Sequence, residues 1–334
     1  MTAARFGHTE LPEEQQAALR RGKRLTWLSI AFLATAITLM YLVMGSSQAM
    51  KAAWAEDLLS LIPPIAFLVA VRRAKRPPTP EHPYGYHRAV GAGHLVAATA
   101  LLTMGLFLVW DSASGLLKAE HPPVGLIEIG GWSLWSGWLM IAALAYSAVP
   151  PVLLGRAKLP VADTLHDRVL YADADMNKAD WMTALGGIVG ILGIGVGLWW
   201  ADAAAALFIA GGILKDGWKN MRTAVGALMD ARAETVEGDD PHPLVADIED
   251  SLRTWGWVRD ARARVRDQGH VFHVEAFVVP VVGHAATLDE LRELRERLVE
   301  LDWKIDDVVV APVEEIPPQL EPGEQAQAQE QTDA

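Results

Sequence analysis

A cluster of carboxylates runs straight into a membrane-length apolar segment, and that junction restricts the chain more than any other feature. Residues 171–180 read Tyr-Ala-Asp-Ala-Asp-Met-Asn-Lys-Ala-Asp, and Trp181 to Trp200 follow without a charged residue. About 20 apolar residues suffice to cross a bilayer as a helix. Carboxylates on a helix entering hydrocarbon are costly and are usually kept for an ion or proton path. On one helix Asp173, Met176, Asn177 and Asp180 share a face, because positions three, four and seven apart stack, while Asp175 points elsewhere. The alternative, that these residues only cap the span in the headgroup region, loses weight against the rest of the chain.

Five further spans accompany this one. The first runs from Leu25 to about Met44 without charge, and Gly45-Ser46-Ser47 turns the chain. The second runs from about Gln48 to Val71 and holds Glu56, Asp57 and the pair Pro63-Pro64. Prolines inside a span free backbone carbonyls and bend the helix, which membranes tolerate at buried or water-lined positions. The third covers roughly Ala89 to Trp110 with His94 inside, and the fourth roughly Gly130 to Leu154, with Trp132, Trp135 and Trp138 as an interfacial belt. The fifth is Trp181 to Trp200, whose glycines allow close helix approach. The sixth begins near Asp202 and continues through Lys215 and Asp216 toward Leu228.

Lys and Arg gather in the N-terminal segment (Arg5, Arg20, Arg21, Lys23, Arg24), after the second span (Arg72, Arg73, Lys75, Arg76, Arg88) and after the fourth (Arg156, Lys158, Arg168). The positive-inside rule therefore places both termini in the cytoplasm, in agreement with six spans. A net charge of −12 argues against a nucleic-acid partner. With no cysteine there is neither a disulfide framework nor a thiolate metal site. The charged residues up to Arg24 do not read as a cleavable signal peptide.

From about Ala231 the chain turns polar. Pro241 to Trp255 reads as an amphipathic helix, and Ala261–Arg266 and His270–Val279 read as strands joined at Asp267-Gln268-Gly269. Thr287 with Glu290 forms a capping-box signature before a helix to about Asp302, and Asp307 to Val313 is a last strand. This α-β-β-α-β order suggests a small ferredoxin-like α+β domain. From Pro317 the composition predicts disorder.

Glu56 and Asp57 on the second span and Asp180 on the fifth bring carboxylates to a similar depth. Oxygen ligands suit divalent metals such as Zn²⁺, Mn²⁺ and Fe²⁺, and the metal offsets the cost of the buried charges. The same groups can take protons when the metal leaves, a physical basis for exchange.

With these elements the chain resembles the cation diffusion facilitator family of divalent-metal/proton antiporters. The resemblance covers roughly residues 25 to 314. It rests on His82-Pro83-Tyr84-Gly85-Tyr86-His87-Arg88, Asp180, Trp200-Ala201-Asp202, Ala227-Leu228-Met229-Asp230 and the α+β tail. It implies an α-helical membrane protein of six transmembrane helices with a C-terminal ferredoxin-like cytoplasmic domain. Residues 1–24 would form a cytoplasmic segment, 25–230 the membrane domain, 231–316 the ferredoxin-like domain and 317–334 a disordered tail. The expected activity is efflux of Zn, Mn or Fe from a bacterial-type inner membrane in exchange for protons. It would proceed by alternating access in a homodimer, with lipid, metal ions and protons as partners and no organic cofactor.

The family's transport site takes two residues four apart from each of the second and fifth spans, here Glu56 with Ser60 and Met176 with Asp180. Ser60 and Met176 depart from the family's usual Asp or His, so Asp57, Asp173 and Asn177 are further candidate ligands. Met176 fits core packing equally well. In some relatives the connection after the second span binds a second metal, for which Glu81, His82 and His87 are available, although loop packing is the favoured reading. Arg88 and Asp230 match a charge pair that stabilises the dimer in relatives. The tail's His270, His273, Glu275 and His284 could hold regulatory metal, but metal-free dimerisation is the default. His270 and His273 are expected on opposite faces of one strand. The rival readings are a transport-deficient metal sensor or structural membrane protein of the same fold, and a membrane enzyme, for which no motif is found.

Overall fold

The computed structural model describes residues 11–43, 54, 57–119, 126–129 and 132–320. The chain divides into two compact units. One combines Glu13–Ala74 with Arg88–Val225, and the other combines Lys75–His87 with the chain from Gly226 onward.

The first unit is helical. Helix α1 spans Glu13–Val43, so it starts well before Leu25 and carries the basic residues Arg20 to Arg24 on its own turns. Glu13 and Glu14 suit the positive end of its dipole. The second expected span is interrupted. Residues 57–59 are helical, Ser60 and Leu61 form a turn, and α2 resumes over Ile62–Ala74. The cause lies in the sequence: Pro63 and Pro64 have no N–H to give the carbonyls of Leu59 and Ser60. Pro also suits the first turn of a new helix. Helix α3 covers Ala89–Leu117, about two turns past the expected end.

Before the fourth helix, β1 (Leu126–Ile129) and β2 (Trp132–Trp135) pair as an antiparallel hairpin, with Ile129 opposite Trp132. Trp132 and Trp135 thus belong to a strand, and the expected helix start at Gly130 moves to Ser136. Helix α4 (Ser136–Leu165) then runs through Arg156 and Lys158, and α5 (Arg168–Gly195) follows after two residues. His166 takes the left-handed conformation at the end of α4. Asp167 caps α5 by accepting from the Leu170 N–H at 3.0 Å. The fourth-to-fifth connection is therefore a tight αα-hairpin rather than a basic loop. Gly197, with φ +92°, follows the end of α5, and α6 covers Ala201–Leu228.

Helix packing here depends on small residues. A Cβ on Gly217 of α6 would lie 3.0 Å from the Leu102 backbone of α3, and one on Gly186 of α5 would meet Ile209 of α6 at 2.3 Å. Such approach is how apolar helices associate in lipid. Outward-facing side chains are strongly apolar, among them Trp110, Leu153 and Phe208. Among the described residues, three helical segments, Glu13–Tyr41, Ala89–Leu117 and Gly137–Leu165, are long and apolar enough to cross a membrane. Helix α5 carries Arg168, Asp173, Asp175, Lys178 and Asp180, which dilute its apolar run.

The second unit holds α7 (Leu244–Arg253), β3 (Val258–Asp267), β4 (Phe272–Pro280), α8 (Leu288–Val299) and β5 (Ile305–Pro312), in the expected α-β-β-α-β order. The sheet order is β3-β4-β5, with β3 antiparallel and β5 parallel to β4. Alternate residues Ala261, Ala263 and Val265 of β3 and Phe272, Val274 and Ala276 of β4 bury against Ile248, Leu252, Leu294 and Leu298. The Thr287–Glu290 capping box is formed in both directions. Because β4 begins only at Phe272, His270 lies in the preceding turn, not on the strand opposite His273. Pro318–Leu320 form a short 3₁₀ turn where disorder was expected, and the rest of that tail lies outside the described residues.

Candidate metal centre

Asp180 of α5 faces the interruption before α2. The Ser60 hydroxyl donates to Asp180 Oδ1 at 2.6 Å, and Ser60 is buried. Asp57, one helical turn before Ser60, lies close enough to Asp180 for the two carboxylates to repel. Its Oδ2 is buried without a hydrogen-bond partner among the described residues. The chain break thus gathers oxygen donors: the Ser60 hydroxyl and the Asp57 and Asp180 carboxylates. Oxygen donors of this kind suit hard to borderline divalent cations. Glu56 lies outside the described residues. Among the described residues, no three His, Asp or Glu side chains converge as a ready-made cage.

The other candidates on α5 are engaged elsewhere. Met176 is buried among Leu101, Met104, Ala210 and Ile213, in an apolar cluster against which Leu59 and Ile62 also pack. Asp173 forms a 2.6 Å ion pair with Lys158 of α4, both side chains almost wholly buried. The Asn177 amide donates back to the Asp173 carbonyl at 2.7 Å. Gly155 of α4 packs beside Asn177, where a Cβ would meet the Asn177 Cβ at 3.2 Å. Asp173 and Asn177 thus meet α4, Met176 meets α3 and α6, and Asp180 meets Ser60.

Sequence reasoning missed three polar contacts. The partner of Lys158 was hidden because Lys158 was read as part of a loop. Asp175, set aside as pointing away, accepts a hydrogen bond from Asn220 of α6 at 2.8 Å, and Asn220 in turn meets His94 of α3 at 3.1 Å. An imidazole inside an apolar span was the available signal.

In the other unit, His82 stacks on Tyr86 at 4.4 Å and forms a two-residue bridge with Thr79. Gly85, at φ +73°, lets the chain double back at a conformation that other residues rarely adopt. Burial holds His87 below the usual imidazole range; Asp306 opposes this and His270 adds to it. Glu81 is exposed. His273 lies 3.3 Å from Asp307 and 3.6 Å from Glu275, and its ring meets Tyr84 edge-on at 6.0 Å. His284 stacks on Trp257 and lies 3.2 Å from Glu290. Asp230 lies 3.5 Å from Arg266, whereas Arg88 is the residue before α3.

Residues 25–229 match the cation efflux transmembrane domain. The chain belongs to the cation diffusion facilitator family. It is similar to the manganese efflux system protein MneS of Bacillus subtilis (strain 168), at 25% identity over 65% of this chain and 71% of the relative. It is also similar to mitochondrial metal transporter 1 of Saccharomyces cerevisiae, at 25% identity over 71% of this chain, and spans 49% of that longer protein. A second Bacillus subtilis relative, the manganese efflux system protein MneP, is 20% identical over 80% of this chain and 87% of its own length. Membership makes this chain an integral membrane protein of a family of metal-efflux transporters.

Proposed function

We propose that this protein exports a divalent cation from the cytoplasm in exchange for protons, by alternating access in a homodimer of six-span subunits with both termini in the cytoplasm. The observation that carries the reading is the Ser60–Asp180 contact across the interrupted second span, with a buried Asp57 oxygen that has no hydrogen-bond partner among the described residues. A cation arriving there takes the place of the Ser60 proton donor on Asp180 and neutralises carboxylates that otherwise repel. Protons on the same carboxylates do so when the cation leaves. Glu56, one turn before Ser60 in the sequence, completes the ligand set in this reading.

The donors are oxygens, which favour Mn²⁺ over the nitrogen-rich environment that Zn²⁺ prefers. Two relatives are named for manganese efflux, and we carry that preference over, with Fe²⁺ competing and Zn²⁺ weaker. Arg88 and Asp230 interlock at the dimer in this reading, and the tail domain dimerises without metal. The test is a metal panel in proteoliposomes under an imposed pH gradient. Asp180→Ala should abolish Mn²⁺ flux while the protein still elutes as a folded dimer. Normal flux in Asp180→Ala would sink the site, and wild-type flux without proton counter-movement would sink the exchange.

A further inference from the structure

The second polar assembly of the helical unit lies apart from Asp180. Asp175 and Asp180 are five residues apart on α5, which places them about 140° apart around the helix and about 7.5 Å apart along it. Asp180 faces Ser60, whereas Asp175 faces α6. There the Asn220 Nδ2 donates both to Asp175 Oδ2 at 2.8 Å and to the Asp216 carbonyl at 3.0 Å. Two acceptors at that end fix the orientation of the amide, since only its nitrogen can serve both. The Asn220 Oδ1 is thereby turned to His94 Nε2 at 3.1 Å, so Nε2 carries the hydrogen toward Asn220. His94 and Asn220 are both buried.

The surroundings of His94 come from each helix packed on it. Helix α5 carries the buried Arg168 and Lys178, and α6 carries Asp216 and Lys219; Lys178, Asp216 and Lys219 act on Asp175, with Lys178 and Asp216 joined at 2.6 Å. At this level α2 offers apolar contact, Ala70 against Gly93, with Arg72 and Arg73 on its last turn. Arg88 precedes the start of α3 itself. Of these groups Lys178 is paired with Asp216, and a proton added to His94 faces Asp175 through one amide. A protonated imidazole makes a stronger Nε2–H bond to Asn220, which polarises the amide toward Asp175. A helix-packing role alone would need neither an imidazole nor a carboxylate in this place, and ionisable groups at such depth generally mark a proton or ion path.

We propose that His94 is a proton-binding site of the membrane domain, separate from the metal-binding carboxylates and joined to Asp175 through Asn220. It holds one of the protons exchanged for metal. This rests on the proton-exchange reading above. The test uses the full-length protein in proteoliposomes with Mn²⁺ as the probe, measuring flux and proton counter-movement together. In His94→Gln, Mn²⁺ affinity at alkaline pH should stay within about twofold of wild type, because the amide keeps a donor toward Asn220. The protons moved per Mn²⁺ should fall by about one, and the pH dependence of flux across the imidazole range should flatten. Asn220→Asp, a near-isosteric change, sets a carboxylate against His94 and should move the midpoint of the flux profile toward higher pH by about one unit or more. An unchanged proton ratio in His94→Gln overturns the proposal. If His94→Gln does not fold, an unchanged midpoint in Asn220→Asp does so. Should wild type itself move Mn²⁺ without protons, it is the exchange reading that fails, and that result is read before any variant.

Discussion

Ser60 and Met176 occupy the two positions where this chain departs from its family's usual ligands, and their surroundings differ sharply. Ser60 holds Asp180 by a short hydrogen bond at the edge of a helix break. Met176 fills an apolar cluster where a soft, adaptable side chain packs well. Ser60→Ala should therefore weaken Mn²⁺ binding by about five- to tenfold, the loss of roughly one hydrogen bond or weak ligand. Met176→Leu should leave Mn²⁺ affinity within about twofold, as near-isovolumetric core swaps do. Titration calorimetry in detergent checks both. A large loss on Met176→Leu would put the thioether beside the ion and return softer metals to contention. The sequence placed Asp180, Ser60 and Asp57 in one neighbourhood. It could not tell which of Asp173, Met176 and Asn177 were free, because that depends for Asp173 and Asn177 on α4, whose length was misjudged, and for Met176 on the packing of α3 and α6.

Helix limits were legible where charge and hydropathy change together and obscure where they do not. The sixth helix and the α-β-β-α-β tail came close to expectation, because a proline-free apolar run and a capping box mark them. The fourth was expected to end near Leu154, since Arg156 and Lys158 read as interfacial. Instead Lys158 stays on the helix and finds Asp173 on the next one. Removing one partner of such a buried pair costs about 3–5 kcal/mol, whereas replacing both by apolar residues is often neutral. Lys158→Met should thus lower the thermal stability of the detergent-solubilised protein markedly, and Lys158→Met with Asp173→Leu should recover most of it. Recovery of Mn²⁺ flux in the double variant would also confirm that Asp173 is no ligand. A double variant as unstable as the single one would mean that the pair specifies the hairpin rather than merely neutralising itself.

At the scale of the molecule, the second unit draws the connection after α2 and the C-terminal sheet together, and its acid response can be worked out from its own groups. His87 is half-buried, and the resulting desolvation holds it below the ordinary imidazole range when folded. The unfolded chain therefore binds that proton more readily, and stability rises with pH where this holds. The His87 contribution is complete above the unfolded value of about 6.5 and drains away as pH falls from there toward the folded value. Asp307 behaves in the same sense at lower pH. Its contact with His273 holds its carboxyl below the usual range, burial opposing, so its contribution is lost only as pH falls below about 3.9. Acidification should accordingly loosen this unit in two stages. Amide exchange of β3, β4 and β5 in the full-length protein follows them directly. His87→Gln should flatten the loss of protection between about pH 7 and pH 5.5, because no imidazole is left to charge. Asp306→Asn should steepen it, because Asp306 opposes the depression of His87 and removing that charge widens the gap between folded and unfolded affinities. Equal slopes in wild type and both variants would show that the acid sensitivity of this unit arises from groups other than His87.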